Sequence, residues 1–294
     1  MSDLPRLVAT DLDGTLLTNE HNVSARTRQA LDAVREAGVE VLFVTARAPR
    51  SVHEIAAQAG HEKYAVCCNG AVRYNVGARV TEWTALLPED TVLKVCQRLH
   101  AAFPAALFAV ETGRSMRSQP GFGIRWDDSH VDVDTLDLGA AAKMFVRVAG
   151  VGNDELVNAV RAEVGDLVSV SHSGGPGFAE MVALGVSKVH AVKDFCTARG
   201  INSSDVLAFG DMPNDLELLQ WAGRSWVTGN AHPTLRKKFP VTGANDEDGV
   251  AVVLERLLAG LLRWDDREHP KTASAKGYPR SRARNASFCR CPSR

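Results

Sequence analysis

In the stretch VATDLDGTLL, Asp11 and Asp13 stand one residue apart, where an apolar run ends and a Gly-Thr turn begins. Two carboxylates this close can differ in charge state, because like charges raise one of the two pKa values. Such a pair is suited to acid–base work. Taken alone, DLDGT is also an ordinary strand-to-turn sequence, so its meaning depends on what else the chain brings near it. Three further polar residues stand out by position. Thr45 ends the apolar run VLFVT, Asp211 follows VLAFG within GDMPND, and Lys188 opens an amphipathic stretch.

These groups must be placed by the elements around them. Short apolar runs alternate with amphipathic ones: LVAT, then SARTRQALDAVREAG ending on Gly38, then VEVLFVTA, then SVHEIAAQAG ending on Gly60. This predicts a βαβα rhythm, and near-continuous Val/Leu/Phe runs suit parallel strands buried on both faces. Within AVCCNGAVRYN, strand-like residues flank Asn69-Gly70, which predicts a tight hairpin turn. From about Trp83 the text changes to PEDTVLKVCQRLHAAF (helix), ALFAVE (strand), a Gly/Arg-containing loop, KMFVRVAG (strand), NDELVNAVRAEVG (helix), and the strands LVSVSH and GFAEMVA. The first rhythm resumes with VSKVHAVKDFCTARG, VLAFG, NDLELLQWAG, SWVTGN and GVAVVLERLLAGLL.

The expected fold class is therefore α/β, a doubly wound, mainly parallel sheet with an inserted α+β unit. Residues 1–82 and 184–264 form the core, residues 83–183 the insertion, and residues 265–294 a disordered basic tail. In an open α/β sheet, ligands gather beyond the carboxyl ends of the strands. Asp11, Thr45 and Asp211 all fall at such ends, and Lys188 can face the same crevice.

The ordered set DLDGT, Thr45, Lys188 and GDMPND resembles the four motifs of the haloacid dehalogenase superfamily. Placement of the insertion between the second and third motifs is similar to a C2 cap. The strings CNGA at Cys68 to Ala71 and GNAHPTLRKKFPVTGANDEDGVA from Gly229 resemble Cof-type, C2B-capped phosphatases of subfamily IIB. The likeness extends to about Leu262. It implies magnesium-dependent hydrolysis of a small phosphorylated metabolite, a sugar phosphate or a nucleotide- or cofactor-type phosphate. By that resemblance Asp11 attacks phosphorus and becomes an aspartyl phosphate, and Asp13 serves as acid and then base. Leu12, Thr45, Lys188 and Asn214 bind the phosphoryl group, while Arg47, Asn69 and Gly70 lie at the substrate mouth. Asp11, Asp13, Asp211 and Asp215 hold Mg2+, an ion that needs few carboxylates because it keeps several waters. The family usually writes TGR where this chain has Thr45-Ala46-Arg47, which places the local turn in question.

Two other readings use the same residues: a phosphomutase that returns the phosphoryl group to a sugar, and a non-catalytic regulator that binds phosphate through Asp11. Asn69-Gly70 is equally a plain hairpin turn. Arg114, Arg117 and Arg125 could grip an anion but read more simply as solvated loop residues, and Trp126-Asp127-Asp128 is undecided.

Composition narrows the setting. With 294 residues, 45% hydrophobic and 23% charged, the chain suits one large or two unequal globular domains. No apolar run approaches the roughly 18 residues of a membrane span, and the N-terminus lacks a signal-like apolar segment, so a cytoplasmic location is expected. The six cysteines show neither zinc-type pairs nor disulfide-scaffold density; Cys289 and Cys291 lie in the tail, beyond the resemblance. The formal charge of −1 hides an asymmetry, because residues 265–294 hold eight Lys/Arg against three Asp/Glu, which leaves −6 for the rest. An acidic body argues against nucleic acid as a partner. The oligomeric state is left open.

Overall fold

A computed structural model describes residues 4–123, 129–174, 177–262 and 264. Arg125, Trp126, Asp127, Asp128, Cys289, Cys291 and the expected tail lie outside the described residues. The chain opens with strand β1 (Leu7–Thr10), helix α1 (Ala25–Glu36), β2 (Glu40–Val44), α2 (His53–Gln58), β3 (Tyr64–Cys67), β4 (Val72–Asn75) and β5 (Val80–Thr84). Next come α3 (Glu89–Ala102), β6 (Leu107–Glu111), β7 (Met116–Ser118), β8 (Val131–Asp132), β9 (Lys143–Arg147), α4 (Asn153–Val164), β10 (Val168–Ser171) and β11 (Phe178–Ala183). The last part holds α5 (Lys188–Thr197), β12 (Val206–Gly210), α6 (Leu216–Trp221), β13 (Arg224–Val227), α7 (Pro233–Arg236) and α8 (Gly249–Leu258).

Two sheets result. The first has seven strands in the order β13-β12-β1-β2-β3-β4-β5, parallel from β13 to β3 and antiparallel beyond. Its central strands read as continuous apolar runs because both faces are covered. Val8, Val41, Phe43 and Leu207 pack with Leu31 and Val34 of α1 and Val250 and Leu254 of α8. Their neighbours Leu7, Leu42, Val44 and Val206 pack with Val192 and Phe195 of α5 and Leu218 of α6. Alternation along each strand thus feeds two separate helix layers. Capping is equally local: the Ser24 hydroxyl accepts from the Thr27 amide and so fixes the start of α1.

The second sheet, order β10-β11-β9-β6-β7-β8, is antiparallel except for the parallel pair β7–β8. One face carries Phe108, Val110, Met144, Val146, Ala179 and Met181 onto Val92, Leu99, Leu156 and Val160 of α3 and α4.

Three expectations need correction. The stretch read as a Gly/Arg loop contains β7 and β8, strands of three and two residues that are too short to show a period. Trp83, read as the start of the inserted unit, lies inside β5, an exposed edge strand of the first sheet. Asn69-Gly70 does lie in a hairpin, but the loop between paired Cys67 and Val72 is four residues long, with positive φ at Cys68, Asn69 and Gly70. Cys67, Cys68, Cys96 and Cys196 are buried free thiols.

Gly70 shows what fixes that loop. It has φ +105, and an added Cβ would meet the Ser187 carbonyl oxygen at 2.2 Å, whereas Gly38, at φ +85, has nothing within 4 Å. Gly38→Ala is expected to cost about 1 kcal/mol, the left-handed backbone cost alone. Gly70→Ala should cost at least about 2 kcal/mol more, as strain against fixed backbone adds to it. Urea unfolding midpoints measure both, and equal losses would refute this account of the loop.

Candidate functional site

From β1 the chain builds outward through β2 and β3 and later returns on the other side with β12 and β13. The strand order therefore reverses between β1 and β12, the place where an open α/β sheet leaves a crevice. Residues just past those strand ends are forced together, since Thr10 is paired with both Phe43 and Phe209 in parallel register. Asp11, Asp211 and Thr45 are the next residues or nearly so.

The structure brings Asp11, Asp211, Asp215 and Lys188 into one buried group. Each of the three carboxylates offers an oxygen within 4.8 Å of the others. Lys188 Nζ lies 3.0 Å from Asp11 Oδ1 and donates to Asp215 Oδ1 at 2.7 Å. Asp215 is thereby committed: its other oxygen accepts from the amides of Asp211 and Met212, both at 3.1 Å. Burial pushes the Asp11 pKa up; Lys188 opposes the rise, and Asp215 and Asp13 add to it. Asp211 is raised for the same reason, by burial and then by its two acidic neighbours. Burial would lower Lys188, but Asp11 and Asp215 outweigh it and hold the ammonium above its usual range.

Asp13 points elsewhere. Arg47 clasps it with two bonds, Nε to Oδ2 at 2.8 Å and Nη2 to Oδ1 at 2.6 Å, and His21 Nδ1 stands 3.5 Å away. Burial alone would raise this carboxyl, yet the Arg47 hydrogen bond and charge hold it below the ordinary value. The Thr45 hydroxyl accepts from the Arg47 amide at 3.1 Å. Ala46 is not among the described residues with positive φ, so alanine costs this turn nothing that glycine would spare.

Asn214 donates to Asn69 Oδ1 at 3.1 Å, and Asn69 in turn donates to Glu180 Oε2 of β11 at 2.7 Å. Gly70, by contrast, is buried against Ser187, and that contact explains its identity without a place at a mouth. The Leu12 side chain belongs to the apolar core, and its backbone hydrogen bonds to the Asp11 carboxylate. Any role for Leu12 with a ligand would run through its amide.

Several participants escaped the sequence reading. Thr15 donates to Asp211 Oδ1 at 3.0 Å, and a Cβ on Gly14 would sit 2.3 Å from Asp211 Oδ2. Thr228 and Asn230 both donate to the Gly14 carbonyl, at 3.0 and 2.8 Å. Gly14, Thr15 and Asn230 lie inside the strings DLDGT and GNAHP, so their signal was visible but their partners were not. Lys143 of β9 donates to the Ala46 carbonyl at 2.7 Å and to Glu180 at 3.0 Å, and Arg50 holds Glu111 of β6 with two bonds of 2.7 Å.

Asp11, Asp13 and Arg47, just past the strand ends of the first sheet, and Lys143, Phe145 and Glu180 of the second line a cavity of about 560 Å³. Its size is that of a small-ligand site. Arg114 and Arg117 are exposed and absent from its wall. Lys188, Asn69 and Asn214 line an adjoining groove of about 770 Å³. Chemically, the group offers a carboxylate oriented by an ammonium, a second carboxylate held ready by an arginine, and an oxygen-only cluster suited to a hard cation.

The pyridoxal phosphate phosphatase YbhA of Escherichia coli is 27% identical over 265 residues, covering 84% of this chain and 96% of that protein. The 5-amino-6-(5-phospho-D-ribitylamino)uracil phosphatase YcsE of Bacillus subtilis is 25% identical over 249 residues, covering 84% and 93%. Among solved structures, SMU.1108c from Streptococcus mutans superposes with a TM-score of 0.76 at 19% identity, covering 87% of this chain and 99% of that one. The model of the haloacid dehalogenase-like hydrolases matches residues 8–254, a span that takes in the Asp11 turn, the Lys188 helix and the Asp211 loop, and the chain belongs to that family.

Proposed function

We propose that this hydrolase is a magnesium-dependent phosphatase of a small phosphorylated metabolite, acting through an aspartyl phosphate on Asp11. The observation that carries the reading is Asp11 at the switch point, 3.0 Å from a fully buried ammonium and within 4.8 Å of two further carboxylates. The two relatives described above act on small phosphate esters, which supports the substrate class.

The residues fit a divalent cation. Three buried carboxylates face one lysine, and the excess negative charge is what a hard cation with oxygen ligands relieves. Asp11 and Asp211 would hold it, with the Asp13 carbonyl as a third ligand and Asp215 fixing Lys188 and the loop behind. When bound, the ion supplies positive charge to the phosphoryl oxygens.

The chain's own groups do the rest. Lys188 aims the Asp11 carboxylate and adds positive charge where phosphoryl oxygens would gather, together with Thr45 and Asn214. An Asp11 oxygen bonds to phosphorus as the ester oxygen leaves, and Asp13, ionised while Arg47 clasps it, takes up a proton from solvent on leaving that clasp and passes it to the ester oxygen. Doing so requires the Asp13 carboxyl to turn from Arg47 to the leaving group. Asp13 then takes a proton from the water that cleaves the acyl phosphate, which frees inorganic phosphate and restores Asp11. The second sheet, on this reading a cap built from the inserted segment, closes the cavity against bulk water.

Asp11→Asn should retain the melting temperature of the metal-free protein, because it removes one of three mutually repelling buried acids, and should abolish phosphate release. Residual turnover above about a thousandth of wild type would mean that Asp11 is not the nucleophile. Magnesium has an independent readout. At a hundred times its dissociation constant it should stabilise the fold by about 2.7 kcal/mol. Asp211→Asn should lose both that thermal shift and activity. A melting temperature indifferent to magnesium and chelator in wild type would overturn the metal assignment.

A further inference from the structure

Along β11, Ala179 and Met181 pack onto α3 and α4, so Glu180 between them faces the other way. Its side chain is 2% exposed and takes three donors. Oε1 accepts from Lys143 of β9 at 3.0 Å and from Ser173, which follows β10, at 2.9 Å. Oε2 accepts from Asn69 Nδ2, in the hairpin loop between β3 and β4, at 2.7 Å.

A carboxamide has a donor end and an acceptor end of nearly equal shape, so its direction is set by the groups it meets. Against a carboxylate oxygen only the nitrogen of Asn69 can bond, which leaves Asn69 Oδ1 at the far end. Asn214 must then turn its own nitrogen to that oxygen, and Nδ2 donates to it at 3.1 Å. Among the described residues nothing holds the other end, because Asn214 Oδ1 is buried and has no hydrogen-bond partner. The direction of the Asn214 amide is therefore passed from Glu180 through Asn69. Nδ2 keeps a second hydrogen to give. With Oδ1 closed off, a ligand that reaches this amide meets nitrogen, the end suited to a phosphoryl oxygen.

We infer that Glu180 is a positioning residue for phosphate: through Asn69 it fixes the direction of the Asn214 amide, so a carboxylate of the second sheet decides whether Asn214 attracts a phosphoryl group or repels it. The inference rests on the phosphatase reading, which puts Asn214 at the phosphoryl oxygens, and it needs no contact between Glu180 and the reacting atoms.

Glu180→Gln tests it at nearly constant shape. The new side chain can keep Lys143 and Ser173 on its oxygen, which leaves its nitrogen facing Asn69. Both asparagines then turn over, and Asn214 offers oxygen where it offered nitrogen. The dissociation constant of inorganic phosphate, measured by calorimetry with magnesium present, should rise about tenfold or more, the worth of one hydrogen bond to a charged group. Adding Asn69→Asp to that variant gives the middle position an acceptor at each end, one for the new amide and one for Asn214 Nδ2, and should recover most of the loss. A Glu180 that merely supports the fold predicts the reverse, since Asn69→Asp would then add a second defect. An unchanged phosphate constant in Glu180→Gln overturns the inference, as does a double variant that binds phosphate no better than Glu180→Gln. If either form does not fold, Asn69→Ala decides, because it cuts the relay and leaves Glu180 with Lys143 and Ser173: weaker phosphate binding supports the inference, and wild-type affinity overturns it. Wild type that binds phosphate yet releases none from pyridoxal phosphate, flavin mononucleotide or sugar phosphates overturns the phosphatase reading, while the calorimetric comparison still tests the relay. Wild type that binds no phosphate overturns both.

Discussion

The structure of the site hangs on one ammonium. Lys188 is the first residue of α5, whose N-terminus already carries the positive end of the helix dipole, so a lysine there is electrostatically misplaced as far as the helix is concerned. It is also buried, with a side-chain exposure of 0%. Both penalties are offset by Asp11 and Asp215; loss of one carboxylate leaves Lys188 paired with the other, and only loss of both would strand the buried charge, at a typical cost of about 3–5 kcal/mol. The pair is therefore poor evidence for stability and good evidence for placement. It ties the start of α5, the helix that follows β11 of the second sheet, to the end of β1, and through Asp215 to the loop after β12.

That placement explains why the glycines fall where they do. Gly70 lets the hairpin loop lie directly on Ser187, the residue whose hydroxyl caps α5. Gly14 lets the turn after Asp11 pass Asp211 at a distance no Cβ would allow. Each close approach brings a backbone segment into the space around Lys188, and each would be lost with a methyl group. Precision here comes from steric exclusion on rigid strand ends, which holds groups in place better than long side chains can.

Much of this was legible in the sequence, for identifiable reasons. Apolar runs and capped helices announce themselves by period, and strand-end polar residues follow from them. Thus β1, β2, β12, α1 and α5, with Asp11, Thr45, Asp211 and Lys188, could all be read. Elements with no room for a period could not: β7 has three residues and β8 two. Nor could partners set by register. Lys143 and Glu180 look like surface charges on short strands, and only the pairing of β9 with β11 and β6 turns them inward to meet Ala46 and Asn69. Ala46 illustrates the converse, since a family pattern made it suspect while its own backbone has no need of glycine.

The two sheets are joined differently from the way each is built. Each has its own apolar layer, shared chiefly near the chain crossings, where Ala142, Val182 and Val186 join the first core. Elsewhere the contact runs through Lys143 to the Ala46 carbonyl, Asn69 to Glu180, and Arg50 to Glu111. Bonds of this kind are directional: they lose their worth when geometry shifts by an ångström, whereas apolar packing tolerates sliding. They also begin in the loops that carry Asp13's partner Arg47 and Lys188's neighbour Asn69. A change in how the second sheet sits is therefore felt first at the loops beside Asp11 and Lys188, and the two sides of the cavity are specified together.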